Sequence, residues 1–242
     1  MSIKILDGEW SWKKMILWEF LNEGNYPHEW KEFFFRDDIQ DDLKNISKQL
    51  EKESKDCIIY PPINKVFRAF YSVSLKKVRV VVLGQDCFHD GAAVGLCFSV
   101  PPNGKINPSL RNIYTELEKE GYTPNKNGSL VHWAMQGCLM LNTALTVQKG
   151  TPESHLHIWY DFSEKVIKEV SSKTENVAWL LMGAKALSFD KFIDPSRGHR
   201  SFITSHPSPF SAYSGFRNYP AFIGSGVFKK IDCFLGQRKI EW

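Results

Sequence analysis

Residues 78–86 read Val-Arg-Val-Val-Val-Leu-Gly-Gln-Asp, an almost continuous apolar run that ends in a glycine and two polar residues. A strand covered by helices on both faces has this pattern, because neither of its sides meets water. Residues 177–182, Val-Ala-Trp-Leu-Leu-Met, repeat the apolar run. The two segments therefore predict central strands of a buried, parallel sheet.

Two further apolar runs, Cys138–Leu141 and Ser201–Thr204, complete a set of four predicted strands. Between them, residues 110–117 and 159–170 carry apolar side chains at helical spacing. Strands that alternate with helices imply parallel pairing through right-handed crossovers. We expect a single-domain α/β fold whose central four-stranded, mainly parallel sheet is flanked by helices on both faces.

The first 77 residues have a different pattern, with helical spacing and no long apolar run. Arg36–Asp56 predicts an exposed amphipathic helix packed on one side. An earlier helix is indicated by Trp10, Trp12, Ile16 and Phe20. We expect residues 1–77 to form a helical section packed on an α/β core of residues 78–242, with residues 1–242 making one domain.

Composition places the chain among globular proteins, since 43% of its 242 residues are hydrophobic and 24% are charged. Its five widely spaced cysteines are an odd number, which disfavours a disulfide framework and favours a reducing compartment. The first ten residues lack the apolar stretch of a signal peptide. We expect an intracellular monomer of the nucleus or cytoplasm of the source or host cell, neither secreted nor membrane-bound.

Positive charge is concentrated in the last quarter of the chain. Residues 183–242 contain nine Lys and Arg against four Asp and Glu, whereas the two charge types nearly balance in the rest. An anionic partner would meet this part of the molecule first. A solvated basic surface without a partner explains the same excess equally well.

Small and polar residues follow all four predicted strands. In open α/β sheets the ligand lies beyond the carboxyl ends of the strands. The segments that reach this edge are Gly84-Gln85-Asp86, Asn142-Thr143, Gly183-Ala184 and Ser205-His206-Pro207-Ser208. Their convergence predicts a binding or catalytic site at one edge of the sheet.

Three of these residues have chemistry suited to such a site. The carboxylate of Asp86 can position a water or stabilise a cation, although Asp also commonly caps helices. His206 stands before two prolines that stiffen the following loop. The amide of Asn142 offers donors and an acceptor in one plane, which suits a planar heterocycle, although Asn is also a common turn residue. Taken alone, each residue fits a structural role as well as a functional one.

Taken together, the motifs of the chain resemble those of the uracil-DNA glycosylases of the bacterial and mammalian housekeeping type. The family's motifs GQDPYH, GLCFSV, NIYxEL, LLNxxLTV and HPSPLS are matched in order by residues 84–89, 95–100, 112–117, 140–147 and 206–211. Shorter matches are residues 60–62 to the family's YPPP and residues 240–242 to its IDW. The resemblance covers roughly residues 8–242.

This resemblance implies a DNA repair enzyme. It would flip uracil out of DNA and hydrolyse the N-glycosidic bond, which releases uracil and leaves an abasic site, the first step of base excision repair. Asp86 would stabilise the cationic sugar and orient water, and His206 would donate to uracil O2 as a neutral imidazole. No metal or cofactor is implied. The implied partners are single- and double-stranded DNA containing uracil, with glycosylase inhibitor proteins and replication proteins as further candidates.

The resemblance also implies contact residues for the base and for the DNA strand. Those for uracil are Gln85, Phe88, Phe98 and Asn142. Those for DNA are Pro108, Ser109, Gly183, Ala184, Ser208, Pro209, Phe210, Ser211 and Tyr213. Among them, Phe98 would stack on the base, Phe88 would fill the space that a thymine methyl needs, and Phe210 would enter the base stack as a wedge.

Several positions depart from the family's pattern. The segment of residues 90–94 is one residue shorter than usual. The substitutions are Cys87 for proline, Phe88 for tyrosine, Ala184 for serine, Phe210 for leucine and Ser214 for arginine. They fall on loop-shaping and DNA-gripping positions, whereas Asp86, Asn142 and His206 are kept. We therefore expect retained activity with altered DNA affinity or opposite-base preference.

Two other functions fit the same residues. The fold could serve as a DNA-docking or replication-scaffold subunit with little catalysis, or as a glycosylase for another damaged base. Retention of both Asp86 and His206 argues against a scaffold, and an aromatic ring at position 88 argues against a bulkier base. A metal site at His155 and His157 is disfavoured, because further ligands at suitable spacing are missing.

Overall fold

The structure is a computed structural model that describes residues 11–242. Its strands are β1 (Ile59–Tyr60), β2 (Val80–Gly84), β3 (Cys138–Asn142), β4 (Val147–Gln148), β5 (Ala178–Met182) and β6 (Arg200–Thr204). Its α-helices are α1 (Leu17–Asn22), α2 (Lys31–Phe34), α3 (Asp37–Ser54), α4 (Arg68–Ser72), α5 (Pro108–Lys119), α6 (Val131–Met135), α7 (Leu156–Lys173), α8 (Ala184–Leu187) and α9 (Val227–Leu235).

Four strands form one parallel sheet in the order β3-β2-β5-β6, flanked by helices. Every residue of β2, β3 and β5 is buried. Apolar runs take this form because both faces of each strand are covered. At the edge of the sheet, β6 begins with the exposed Arg200. The predicted α/β fold with four parallel strands is confirmed.

Helices before the sheet pack on α7 through aromatic rings. Phe162 of α7 lies 5.9 Å from Phe33 and 6.1 Å from Phe67, measured between ring centroids. Such tilted and edge-to-face pairs contribute about 0.5–1.5 kcal/mol each beyond the apolar area they bury. Residues on both sides of position 77 thus belong to one hydrophobic core. The division of the chain at that position stays a prediction.

The amphipathic helix expected at Arg36–Asp56 is α3, but the earlier helix is shorter than its apolar spacing indicates. Helix α1 begins only at Leu17. Trp12 lies in a turn, where its indole Nε1 donates to the carbonyl of Pro61 at 2.9 Å. Trp10 lies outside the described residues. Trp12 is therefore apolar because it is buried in a turn, and not because it belongs to a helix.

A second, two-stranded sheet was not predicted. Strand β1 pairs antiparallel with β4, with Ile59 opposite Gln148 and Tyr60 opposite Val147. Two residues are too few to show a periodicity of two, so the sequence gives no signal for these strands. The pair anchors the start of the turn that leads into α7. In the described part of the chain, no helix is both long enough and apolar enough to cross a bilayer.

Two buried carboxylates attach α5 to the beginning of α9. Glu116 accepts hydrogen bonds from the backbone amides of Gly224 at 2.6 Å and Gly226 at 2.8 Å. One turn later, Glu120 accepts from the amides of Phe228 and Lys229, and burial raises its pKa to about 7. Backbone amides at the first turn of a helix lack partners within the helix, which the carboxylates supply. The segment between β6 and α9 is therefore fixed at its carboxyl end, where α9 begins.

We predict that Glu116→Gln lowers the free energy of unfolding by about 2–3 kcal/mol, because the new amide NH₂ faces backbone donors and charge-assisted bonds are lost. Urea denaturation measures the change. Glu118→Gln on the same helix is the control; Glu118 pairs with Lys126 at the surface, and its loss should cost less than about 0.5 kcal/mol. Equal small losses in both variants would contradict the role given to Glu116.

Candidate active site at the carboxyl edge of the sheet

A close approach between two strand ends begins the site. Gly84 ends β2 and is paired in register with Asn142, which ends β3. A Cβ on Gly84 would lie 2.3 Å from Asn142 Oδ1 and 2.8 Å from Cys97 Cβ. Only glycine therefore lets the Asn142 side chain lie over β2.

The amide of Asn142 is oriented by the thiol of Cys87. Asn142 Nδ2 donates to Cys87 Sγ at 3.5 Å, and Sγ donates in turn to the carbonyl of Leu145 at 3.2 Å. Burial raises the pKa of Cys87 to about 12, so the sulfur keeps its proton. With one amide hydrogen engaged, Asn142 keeps its second N–H and a lone pair on Oδ1 for a ligand.

Predicted site residues line a small recess beside this pair. Its walls include Asp86, Cys87, Phe88, Phe98 and Asn142. Of the four strand ends that the sequence predicts to converge, those of β2 and β3 line this recess, together with the loop of residues 93–98. The lining combines two aromatic rings with a carboxylate and an amide, side chains whose chemistry suits a flat, polar heterocycle.

Phe98 occupies this wall in a backbone conformation that non-glycine residues rarely adopt. Its φ is +60°, in the left-handed region, at a cost of about 1–2 kcal/mol. The ring is almost fully buried, and its centroid lies 5.9 Å from that of His206. Such strained residues cluster at functional sites, where the surrounding structure holds them.

His206 enters the site from the end of β6 as a neutral ring. Burial lowers its pKa to about 4. Its Nδ1 accepts a hydrogen bond from the backbone amide of Ser208 at 3.1 Å. A neutral imidazole that accepts at Nδ1 carries its proton on Nε2. The local chain therefore fixes His206 as an Nε2–H donor.

The loop after His206 is held together by its serines. Ser211 Oγ donates to the carbonyl of His206 at 2.9 Å and lies 3.0 Å from Ser208 Oγ. Outside this network the loop projects two aromatic rings. Phe210 is 97% exposed and Tyr213 is 67% exposed. The hydrogen-bonded loop therefore presents the exposed phenyl ring of Phe210 at its tip, where the ring can insert into another molecule.

Two neighbouring segments support the loop. Asn112 of α5 donates from Nδ2 to the carbonyl of Pro207 at 2.8 Å, which places the first turn of α5, with Pro108 and Ser109, beside it. On the other side, Gly183 has a φ of +89°, and a Cβ there would lie 3.0 Å from His206 Cβ. Ala184 follows Gly183 at the surface. Several positions predicted to contact DNA therefore lie around His206 and the loop that follows it.

Asp86 is partly buried, and burial raises the pKa of its carboxyl. Three groups oppose this effect: the backbone amide of Glu153, which donates to Asp86 Oδ2 at 2.7 Å, the ring of His89 and the side chain of Gln85. The side-chain charge of Glu153 adds to the raised pKa. Glu153 was missed by sequence reasoning, because an exposed Glu in a polar turn carries no sign of this contact.

That Gln85 contacts the base stays a prediction, and the structure shows where the side chain of Gln85 is engaged. Its Nε2 donates to Glu153 Oε1 at 3.0 Å. The carbonyl of Gln85 accepts from Thr143 Oγ1 at 2.7 Å and from the amide of Ala144 at 3.0 Å. The backbone contacts join the loop after β2 to the loop after β3.

The pair His155 and His157 does not form a metal centre. His155 is buried, with Nδ1 bonded to Thr146 Oγ1 and Nε2 bonded to Glu53 Oε2, each at 2.8 Å. Both ring nitrogens are therefore engaged. Between residues 11 and 242, no three His, Cys, Asp or Glu side chains are grouped so that they could hold a metal ion.

The family model and two related sequences that match this chain are those of uracil-DNA glycosylases. The model of the uracil DNA glycosylase superfamily matches residues 70–223. The uracil-DNA glycosylase of Aeromonas salmonicida is 44% identical over 193 residues, which cover 76% of this chain and 83% of that protein. The enzyme of Azotobacter vinelandii is 40% identical over 240 residues, which cover 97% of this chain and 93% of that protein.

Solved structures agree with the sequences. The crystal structure of mimivirus uracil-DNA glycosylase superposes with a TM-score of 0.83 at 29% identity, covering 90% of this chain and 87% of that one. A variant of mimivirus UNG in complex with UGI gives a TM-score of 0.86 at 26% identity, covering 100% and 99% of the two chains.

Proposed function

This chain belongs to the uracil-DNA glycosylase superfamily, and from that membership we propose that it excises uracil from DNA. The reaction hydrolyses the N-glycosidic bond, releases free uracil and leaves an abasic site for base excision repair. The observation that carries the proposal is that Asp86, Asn142 and Phe98 line one recess and that the neutral ring of His206 lies 5.9 Å from the ring of Phe98. A base in a duplex cannot reach such a recess unless it is flipped out of the stack.

Asp86 acts on the sugar. Cleavage of the N-glycosidic bond leaves positive charge on the sugar ring, which an ionised carboxylate stabilises in the transition state more than in the ground state. The same carboxylate orients the attacking water. The hydrogen bond from the Glu153 amide to Oδ2 leaves Oδ1 of Asp86 for these tasks.

His206 acts on the leaving base. As the bond breaks, negative charge grows on uracil O2, and a fixed donor in a dry site stabilises it. The Nε2–H of the neutral ring is such a donor, and its orientation is set before the substrate arrives by the Ser208 amide. Because no proton has to be gained or lost, the role holds across neutral pH.

The remaining wall residues select the base. Asn142 accepts from uracil N3–H and donates to O4, a pattern that cytosine cannot offer. Phe98 stacks on the ring, and Phe88 occupies the position beside C5 where thymine has a methyl group. Gln85 is a further proposed contact of the base.

The surfaces around the recess hold the DNA strand. The residues proposed to contact DNA are Pro108, Ser109, Gly183, Ala184, Ser208, Pro209, Ser211 and Tyr213, with Phe210 as the wedge. Serine hydroxyls and backbone amides are common phosphate donors. The exposed Phe210 ring takes the place of the flipped base in the stack. A protein inhibitor is a further proposed partner of this chain, because the mimivirus relative is found in complex with UGI.

We predict that Asp86→Asn lowers the rate of uracil excision about 10²–10⁴-fold, because the charge that stabilises the sugar is removed. A single-stranded oligonucleotide with one uracil, followed by alkaline cleavage of abasic sites, measures the rate. Asp90→Asn in the same loop is the control, since Asp90 is exposed and should leave the rate unchanged. An Asp86→Asn protein as active as wild type would reject the enzyme and favour a DNA-docking scaffold.

We predict that Phe88→Ala gains measurable excision of thymine, because the wall beside C5 is removed. The ratio of thymine to uracil excision on matched single-stranded oligonucleotides should rise at least about tenfold. A wild-type protein that cuts both bases equally would contradict the role of Phe88 and favour a glycosylase of broader specificity.

We predict that Phe210→Ala slows excision from duplex DNA at least about tenfold more than from single strands, because only a duplex has to be held open. The ratio of the two rates at one salt concentration is the measurement. Met135→Ala, which truncates a side chain that is 69% exposed on α6, serves as the control. Equal losses on both substrates would reject the wedge.

A further inference from the structure

Glu153 joins three segments that meet beside the recess. Its backbone amide donates to Asp86 Oδ2 at 2.7 Å. Its side chain accepts from Gln85 Nε2 through one carboxylate oxygen and from Lys185 Nζ through the other, each at 3.0 Å. The loop after β2, the turn before α7 and helix α8 are thus linked through one residue.

The backbone of Glu153 is held in an unusual conformation. Its φ is +66°, a left-handed value that is uncommon for residues other than glycine and asparagine. The surrounding turn is anchored at both ends. Ser154 Oγ accepts from the amide of Gln148 at 2.9 Å, and Gly150 donates to the carbonyl of His89 at 3.0 Å. The fold therefore imposes the conformation that aims the amide of Glu153 at Asp86.

We propose that Glu153 and Lys185 form a positioning pair that tunes the ionisation of Asp86: Glu153 holds the carboxylate and its charge opposes ionisation, while Lys185 offsets that charge. The inference rests on the proposed role of Asp86 as the ionised group of the reaction. Both side chains are about half exposed, at 48% for Glu153 and 52% for Lys185, so solvent weakens their effect without removing it.

Other groups near Asp86 do not replace this pair. His89, three residues further along the loop, favours the ionised carboxylate, and the adjacent Cys87 stays protonated. Gln85 is neutral; its side chain bonds the same Glu153 carboxylate and, like His89, favours the ionised form of Asp86. The charge of Glu153 disfavours ionisation of Asp86, and Lys185 is bound directly to that charge.

The two members of the pair should shift the pH profile in opposite directions. Without the charge of Glu153, the pKa of Asp86 falls and activity persists to lower pH. Without Lys185, the charge of Glu153 is no longer offset, the pKa of Asp86 rises, and activity is lost at higher pH. An ion pair that only stabilises the fold has no reason to give opposite shifts.

The experiment measures kcat against pH on a saturating single-stranded uracil oligonucleotide for the full chain. We expect E153Q to move the acid limb down by about half a pH unit and K185Q to move it up by a similar amount. The double variant should return close to wild type. E153G tests the backbone part, because glycine adopts the same φ and keeps the amide; it should shift the limb as E153Q does and keep kcat at its plateau.

The pair Glu118 and Lys126 provides a matched control, since its members are 48% and 53% exposed; Glu118 lies in the last turn of α5 and Lys126 in the loop that follows it. E118Q and K126Q should leave the acid limb in place. Limbs that stay fixed in E153Q and K185Q, or that move in the same direction, would overturn the positioning role. If Asp86→Asn is inactive in that case, the proposed function stands and only this inference fails; if Asp86→Asn is fully active, the proposed function fails first.

Discussion

The site depends on how closely the ends of β2 and β3 approach each other. Gly84 has no side chain, so the amide of Asn142 crosses over it and meets the thiol of Cys87. The parallel register of the two strands sets this meeting point, because each residue of β2 faces a fixed partner on β3. The carbonyl of Gln85, bonded to the loop after β3, continues the same pairing beyond the strands. A shift of one residue would turn Asn142 away from the recess.

Burial favours the neutral form of both proposed catalytic groups, but neutrality has different consequences for each. A poorly hydrated site disfavours charge, so the pKa of His206 falls and that of Asp86 rises. Neutrality suits a hydrogen-bond donor to the leaving base. Neutrality does not suit a carboxylate that faces a cationic sugar. The Glu153 amide and the ring of His89 counteract the effect of burial by lowering the pKa of Asp86. In one poorly hydrated site, therefore, only Asp86 needs neighbouring groups that favour its charged form.

The central sheet could be read from the sequence because each buried strand is a continuous apolar run that ends in small or polar residues. The same rule brought Asp86, Asn142 and His206 to one edge, while the family motifs suggested their roles. Local backbone conformation could not be read in this way. Phe98 and Glu153 have positive φ values although neither residue type favours them, since tertiary contacts impose the conformation. The two-residue strands β1 and β4 are likewise fixed by packing rather than by pattern.

The loop that follows His206 determines which ring nitrogen of His206 carries the proton. Proline has no backbone N–H, so Pro207 and Pro209 cannot donate to the ring. Ser208 stands between them and is the one residue of the three with an amide hydrogen, which it gives to Nδ1. The alternation of proline, serine and proline is thus a means of choosing a tautomer. It removes competing donors on either side and leaves a single one, so the imidazole is set before any DNA arrives.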